Sequence, residues 1–517
     1  MKRFLAYLLV VAIFFPLSIT SANSTNAQDL AFSLGDGRSV TSGFWKLAFA
    51  EDSAGKIRPW RSHISTASDS QIGVALPICS ESKTTSCIKS VSVRQKNQSW
   101  KSGVALPSFG QRFYHYSSFT EDSMVDKETS TWEEERKRNL PAAATPRAWE
   151  LPVAHKGGSS YLVSVGFEGY GTGRNNQDSF NFNRFEANIS PTSLTPNSNS
   201  TDCRDGQLEE LSEGGTGVCL RAYDFPQDTE FKIEVLLGNF NSNLSGWLDA
   251  RIINGSFTFD KKTRLLTIQG FPAQVPVVST KEIKFADVES DPSLCAVAYC
   301  KDGAWPQMKM NTSFGIFSAQ TSNDLESLKS FKKIEKFLPE KASGLNTIWR
   351  FSSMPSAGDF SKCAPVGEFS GIISTNATVY TPGPPSWNRK TGDVSFEVGA
   401  PHLVNDDQEF LGYYKLFVSE LVANCVWGVN LANAQAKVEI GESGDKSKAE
   451  TTSVKRENGW VTFKAEGFTF STPEIKVSLI AAKASKSAPS TISCVKGKTV
   501  KKVSGKGARC PAGFKKI

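Results

Sequence analysis

Four histidines, His63, His115, His155 and His402, are the first residues of this 517-residue chain to weigh for chemistry. None stands in the i, i+4 spacing that places two imidazoles on one helix face for zinc. The GxG within GYGTG at 169–173 is followed by RNNQDSFNFN, a polar loop rather than the helix start whose amides would hold a phosphate. Ser159 in HKGGSSY lacks the GxSxG setting of a nucleophile elbow. The acidic run DCRDGQLEELSEGGTGVC offers Asp202, Asp205, Glu209 and Glu213 as hard oxygen ligands for calcium. A solvated loop accounts for the same residues without an ion and is the preferred reading. Paired carboxylates for glycoside hydrolysis leave no local signature, because the two acids can come from distant segments. The sequence thus specifies no catalytic residues, no metal and no cofactor.

Cross-linking and charge are more legible. Ten cysteines at 79, 87, 203, 219, 295, 300, 363, 425, 494 and 510, with no CxxC, point to disulfides rather than structural zinc. Many connectivities are open, but the positions fall into local couples: Cys79 with Cys87, Cys203 with Cys219, Cys363 with Cys425, and Cys494 with Cys510. CAVAYC at 295–300 fits poorly, since an extended strand rising ~3.3 Å per residue holds its two cysteines too far apart to bridge.

From residue 481 the chain carries nine lysines and Arg509 with no aspartate or glutamate, a charge of +10 against +7 for the whole chain. Lys2 and Arg3 add two more, so the remainder is at −5. Ile492 to Val495 and Thr499 to Val503 read as a hairpin turning near Gly497 and closed by Cys494–Cys510. Such a hairpin gathers Lys496, Lys498, Lys501, Lys502, Lys506 and Arg509, with Lys515 and Lys516 just beyond, as a polyanion-binding set. Nucleic acid is not the expected partner, because Phe514 alone is at hand to stack on bases and the chain reads as exported. Eleven tryptophans are many; the core accounts for most, and Trp45, Trp60, Trp100 and Trp149, beside glycines, prolines and charges, are the candidates for stacking on sugar rings.

The elements that must position these residues are mostly strands. Met1-Lys2-Arg3 and the apolar FLAYLLVVAIFFPLSIT form a signal peptide ending near Ala22 or Ala27, and no later stretch approaches the ~18 apolar residues of a membrane span. YLVSVGFEG, FKIEVLLG and SFTFDKKTRLLTIQG alternate apolar and polar residues, the last as a hairpin. GVALP occurs at Gly73 and at Gly103, which suggests two related strands in one sheet. Leu325, Leu328, Phe331, Ile334 and Leu338 make one amphipathic helix over 323–338, with Asn323 and Glu326 as its capping box.

The expected organisation is mainly β: disulfide-stapled, multi-domain, with antiparallel β-sandwich or jelly-roll-like modules and one amphipathic helix. Residues 1–27 are the signal peptide, 28–119 an amino-terminal β-rich domain, 120–146 a charged and proline-punctuated linker, and 147–290 a β-sandwich-like domain. Residues 291–385 form a cysteine-containing segment with the helix, 386–480 an Ig-like sandwich, and 481–517 a spacer and basic, disulfide-closed tail.

The segment ENGWVTFKAEGFTFSTPEIKVSL and the tail motifs ISCVKGKTVKKV and CPAGFKKI resemble uncharacterised secreted proteins of actinobacteria, which share a β-sandwich-like module and a CxKGK, KKV, CPxGxKK end. The tail match covers about twenty-five residues and the module 386–480 more loosely. The resemblance implies a cell-surface setting and no particular activity. Together with the tail it leads to the expectation of a noncatalytic extracellular or cell-wall-associated protein that binds anionic envelope polymers. A secreted glycan-active or other hydrolase with carboxylate catalysis is the alternative.

Overall fold

A computed structural model describes residues 70–80, 84–107, 134, 139, 141–144, 147–172, 179–197, 208–211, 217–238, 246–279, 340–354, 363, 369–380, 386–388, 390, 393–404, 407–427, 434–441, 451–457, 459–470, 474–481, 490–505 and 509–516, with short strands at 33–34, 49–51 and 57–59. Period-two alternation becomes sheet throughout. In Thr229–Leu236, Phe231, Ile233 and Val235 are buried while Lys232, Glu234 and Leu236 are partly exposed. Each buried apolar side chain of this size contributes ~1.5–3 kcal/mol, which is what fixes the register.

One long sheet runs through the molecule. Ser70–Ala75 and Arg147–His155 share one edge of Gly158–Thr172. Then come Ser179–Asn197, Gly344–Met354, Trp247–Ala250, Gly371–Thr375, Leu411–Ser419, Trp460–Thr469 and Thr451–Glu457. All of these pairs are antiparallel except Trp247–Ala250 with Gly371–Thr375, which departs from the wholly antiparallel expectation. Both GVALP copies supply strands to this sheet, as expected.

A second sheet of Lys101–Ser102, Cys87–Gln95, Thr229–Leu236, Leu265–Ser279 and Ile252–Asp260 packs on one face of the long one. Leu265–Ser279 belongs to both regions: up to Pro272 it pairs with its hairpin partner, and from Ala273 onward it pairs with Gly344–Met354. Gly270 has φ 154°, and a Cβ there would lie 2.7 Å from the Cα of Gly255, so glycine is what lets the strand turn this corner.

A third sheet, Val379–Tyr380, Asp393–Gly399, Glu474–Ala481 and Ala434–Gly441 with Ser386–Asn388, supplies a second core. The short strand Trp247–Ala250 feeds both cores: Leu248 and Ala250 point into the first and Trp247 into the second. Gly371, beside Trp247, must lack a side chain, since a Cβ would sit 2.3 Å from the indole.

The fold is thus mainly β, with sheets packed face to face and disulfides holding it. Cys79–Cys87, Cys363–Cys425 and Cys494–Cys510 are joined as the local couples predicted, with Cα separations of 5.0, 5.7 and 5.6 Å. Cys203, Cys295 and Cys300 lie outside the described residues, as does the expected helix at 323–338. The helix among the described residues is Glu420–Trp427, within a segment read as strand. Ser419 ends the preceding strand and its Oγ accepts from the Val422 amide at 3.3 Å, an N-cap that converts VSEL from strand to helix. Sheet hydrogen bonds cross the expected domain boundaries: Cys87–Gln95 pairs with Thr229–Leu236, and Gly344–Met354 with Ser179–Asn197.

Candidate functional site

The carboxy-terminal segment forms its own three-stranded sheet. Ser490–Lys496 is central, with Thr499–Gly505 on one side and Lys515–Lys516 on the other. Gly497, at φ 58°, occupies the left-handed position that the two-residue turn requires. Register decides where the cations point. Cys494 stands directly opposite Lys501 and Lys516, so these lysines and Lys496 share the face of the disulfide. Val495 stands opposite Val500 and Lys515, so Lys502 and Lys515 share the other face with two valines. Cys494 is fully buried, whereas Lys496, Lys498, Lys501, Lys502, Arg509, Lys515 and Lys516 are exposed. Lys501 Nζ lies 5.5 Å from the centre of the Phe514 ring, which uses that ring's face for a cation and not for a base. Seven of the eight expected cations therefore belong to one disulfide-closed module, on both of its faces; Lys506 lies outside the described residues.

No known protein family, characterised protein or solved structure matches the chain.

The other candidates fare differently. Trp149 is 4% exposed and packs in the first core, so its ring is closed to sugars: a tryptophan on the inward register of Arg147–His155 goes to the core whatever its neighbours in sequence. Trp100 stays partly exposed, and its ring carries the Arg94 guanidinium at 4.5 Å and the Lys232 ammonium at 4.7 Å. Trp45 and Trp60 lie outside the described residues. Of the calcium candidates, Glu209 sits in strand Leu208–Leu211 and the other three lie outside the described residues.

Sequence reasoning missed an open cleft of about 1020 Å³ where Leu265–Ser279 turns its corner. Phe271, Gln274, Leu345 and Thr347 line it from the corner strands, and the turn from Asp224 to Asp228 walls it. The Thr347 hydroxyl fixes that turn, accepting from the Phe225 amide at 2.8 Å. His155, on the rim, is committed to its own hairpin. Its Nδ1 accepts from the Gly157 amide at 3.0 Å, so Nε2 carries the proton and donates to the Ser160 carbonyl at 2.8 Å. Burial holds its pKa below the ordinary histidine value, against the opposing pull of the Ser160 carbonyl and Glu150. Both nitrogens are thus used structurally, and the ring meets Tyr161 edge-to-face and Tyr223 at a tilt. The signal for this cleft, DFPQD, is an ordinary turn by composition.

Proposed function

We propose that the protein acts noncatalytically at an anionic extracellular or cell-wall surface, held there by the carboxy-terminal module. The observation that carries this reading is the exposure of seven cations on a disulfide-closed sheet of residues 490–516, in a stretch free of acids from residue 481 onward. Lysines on a pinned sheet lose little freedom on binding, which favours contact with a repeating polyanion such as a phosphate- or carboxylate-rich wall polymer. The net charge of −5 on the rest of the chain, signal segment excluded, keeps attraction local to this end. Disulfides, the apolar amino terminus and the resemblance of the tail to secreted actinobacterial proteins support an exported setting. Among the described residues no helix is long and apolar enough to cross a membrane.

Cosedimentation with purified cell walls tests the proposal. The full mature protein and residues 484–517 on an inert carrier should both sediment at low salt. A truncation ending at Lys483 should stay in solution. Binding should fall steeply above physiological ionic strength, where the Debye length is ~8 Å. Equal sedimentation of the truncated and full proteins would overturn the assignment.

A further inference from the structure

Asn254 and Gly255 form a bulge in strand Ile252–Asp260, where pairing with Leu265–Ser279 slips between Ile253 and Ser256. Asn254 takes the left-handed φ of 52°. Its backbone amide donates to the Tyr413 hydroxyl at 3.0 Å, and the Gly255 carbonyl accepts from Lys415 Nζ at 3.0 Å. Two bonds from strand Leu411–Ser419 thus hold the bulge against the long sheet. The side-chain carbonyl of Asn254 accepts from Lys464 Nζ at 3.0 Å, and that same Nζ lies 2.5 Å from Glu466 Oε1. An amine, an amide carbonyl and a carboxylate meet at one point across a sequence separation of 210 residues.

We propose that Lys464 and Asn254 become joined by an intramolecular isopeptide bond that the protein forms itself, with Glu466 carrying the proton. The ammonium of Lys464 passes a proton to Glu466, and the free Nζ attacks Cγ of Asn254. The Nζ–Cγ bond forms and the Cγ–Nδ2 bond breaks. Nδ2 leaves as ammonium, taking both protons that Nζ gives up, so no oxidant or further reactant is consumed and Glu466 ends as it began.

Three features favour this over a resting hydrogen bond. First, the electrophile is held by its neighbours' bonds before reaction, so attack is unimolecular between groups already in contact, the condition under which effective molarities become large. Second, Lys464 stands directly opposite Lys415 on the adjacent strand. Two ammoniums in that position repel. Lys415 shows the effect, its pKa brought down to about 8 by burial first and then by Lys464 and Lys455. Third, the leaving group has a way out: Asn254 is exposed, so ammonia can depart into solvent, while the Lys464 and Glu466 side chains are 23% and 33% exposed and the Tyr413 ring centre lies 5.6 Å from Lys464 Nζ. The bond would tie the second sheet to an outer strand pair of the long sheet.

Mass spectrometry on the mature protein after reduction of its disulfides decides the matter. The proposal expects an intact mass short of the sequence by one ammonia, and a branched peptide joining the Asn254 and Lys464 fragments after digestion. Lys464→Arg, expressed in the same way, should recover the ammonia, and Glu466→Gln should accumulate the unlinked form. Recovery of the two fragments as separate, unmodified peptides from the wild type overturns it. So does hydrolysis of Asn254 to aspartate without a branched product.

Discussion

The Tyr380 hydroxyl donates to the Asp249 carboxylate at 2.6 Å, and Asp249 is fully buried. Arg350 Nη2 stands 3.6 Å from the same oxygen, which makes this an ion pair deep in the junction of the two cores. A buried carboxylate is tolerated where donors surround it, and a hydrogen bond to a charged group contributes ~1.5–3 kcal/mol. Tyr380→Phe should therefore lower the free energy of unfolding by an amount in that range, seen as a lower urea midpoint with an unchanged slope. Asp249→Ala should cost more, since it removes the carboxylate that both Tyr380 and Arg350 face. A Tyr380→Phe midpoint equal to wild type would show that the hydroxyl adds nothing.

Arg251 is a second buried charge, fully inaccessible, whose Nη1 donates to the carbonyls of Thr375 at 3.0 Å and Ala377 at 2.7 Å. Its guanidinium lies 4.7 Å from the centre of the Tyr380 ring. The planar fork reaches several carbonyls of one loop at once, a geometry that an ammonium does not reproduce. Arg251→Met should cost about 3–5 kcal/mol by leaving those carbonyls buried and unpaired, and Arg251→Lys should recover less than half of it. Full recovery by lysine would mean that charge, not the fork, is what the loop needs.

Lys415 makes stability depend on alkaline pH. Burial, then the charges of Lys464 and Lys455, bring its folded pKa down to about 8, below the ~10.4 of an unfolded lysine. Between those values the unfolded chain holds a proton that the folded one has released, so stability rises with pH across this window. The penalty is complete below pH ~8 and fades towards ~10.4. Measured against Lys415→Met, which lacks the titration, wild type should gain ground as pH rises through the window. A constant difference, or a loss, would contradict the assignment.

What could be read in advance was what depends on near neighbours. The hairpin at Ser256 to Gly270, the turn at Gly497 and the Cys79–Cys87 and Cys494–Cys510 bridges all follow from short spacings, and Cys363–Cys425, 62 residues apart, from pairing off neighbouring cysteines along the chain. The strand-to-helix change at Ser419 was missed because VSELV suits either state until a cap chooses. Long-range pairing was missed for a different reason. Cys87–Gln95 and Thr229–Leu236 read as ordinary strands of separate domains, and nothing local says that they are neighbours. The same limit hid the cleft and the meeting of Asn254 with Lys464 and Glu466, since strands far apart in sequence, Ile252–Asp260 and Trp460–Thr469 among them, come together only through the whole sheet order. The tail was legible because its chemistry lies in one short run.

The module formed by residues 490–516 should depend on its disulfide more than the rest of the protein does. Its sheet is small and its exposed Val500, at 57%, shows how little it encloses. Cys494 is the buried centre, paired in register with Lys501 and Lys516, and its bridge to Cys510 closes a separation of 16 residues. A loop of that size restricts the unfolded chain by ~3 kcal/mol in the chain-entropy account, comparable to all that such a sheet has in reserve. Reduction should therefore abolish amide-exchange protection at Ile492 to Val495 and Thr499 to Val503. The buried strand Thr229–Leu236, which draws on the large core, should keep its protection under the same conditions. The Cys494→Ser, Cys510→Ser double variant should behave like the reduced protein and should also lose affinity for polyanions at low salt, because its lysines are no longer held on a sheet. If the amides stay protected after reduction, the strands fold without the bridge and the lysines are positioned by something other than the disulfide.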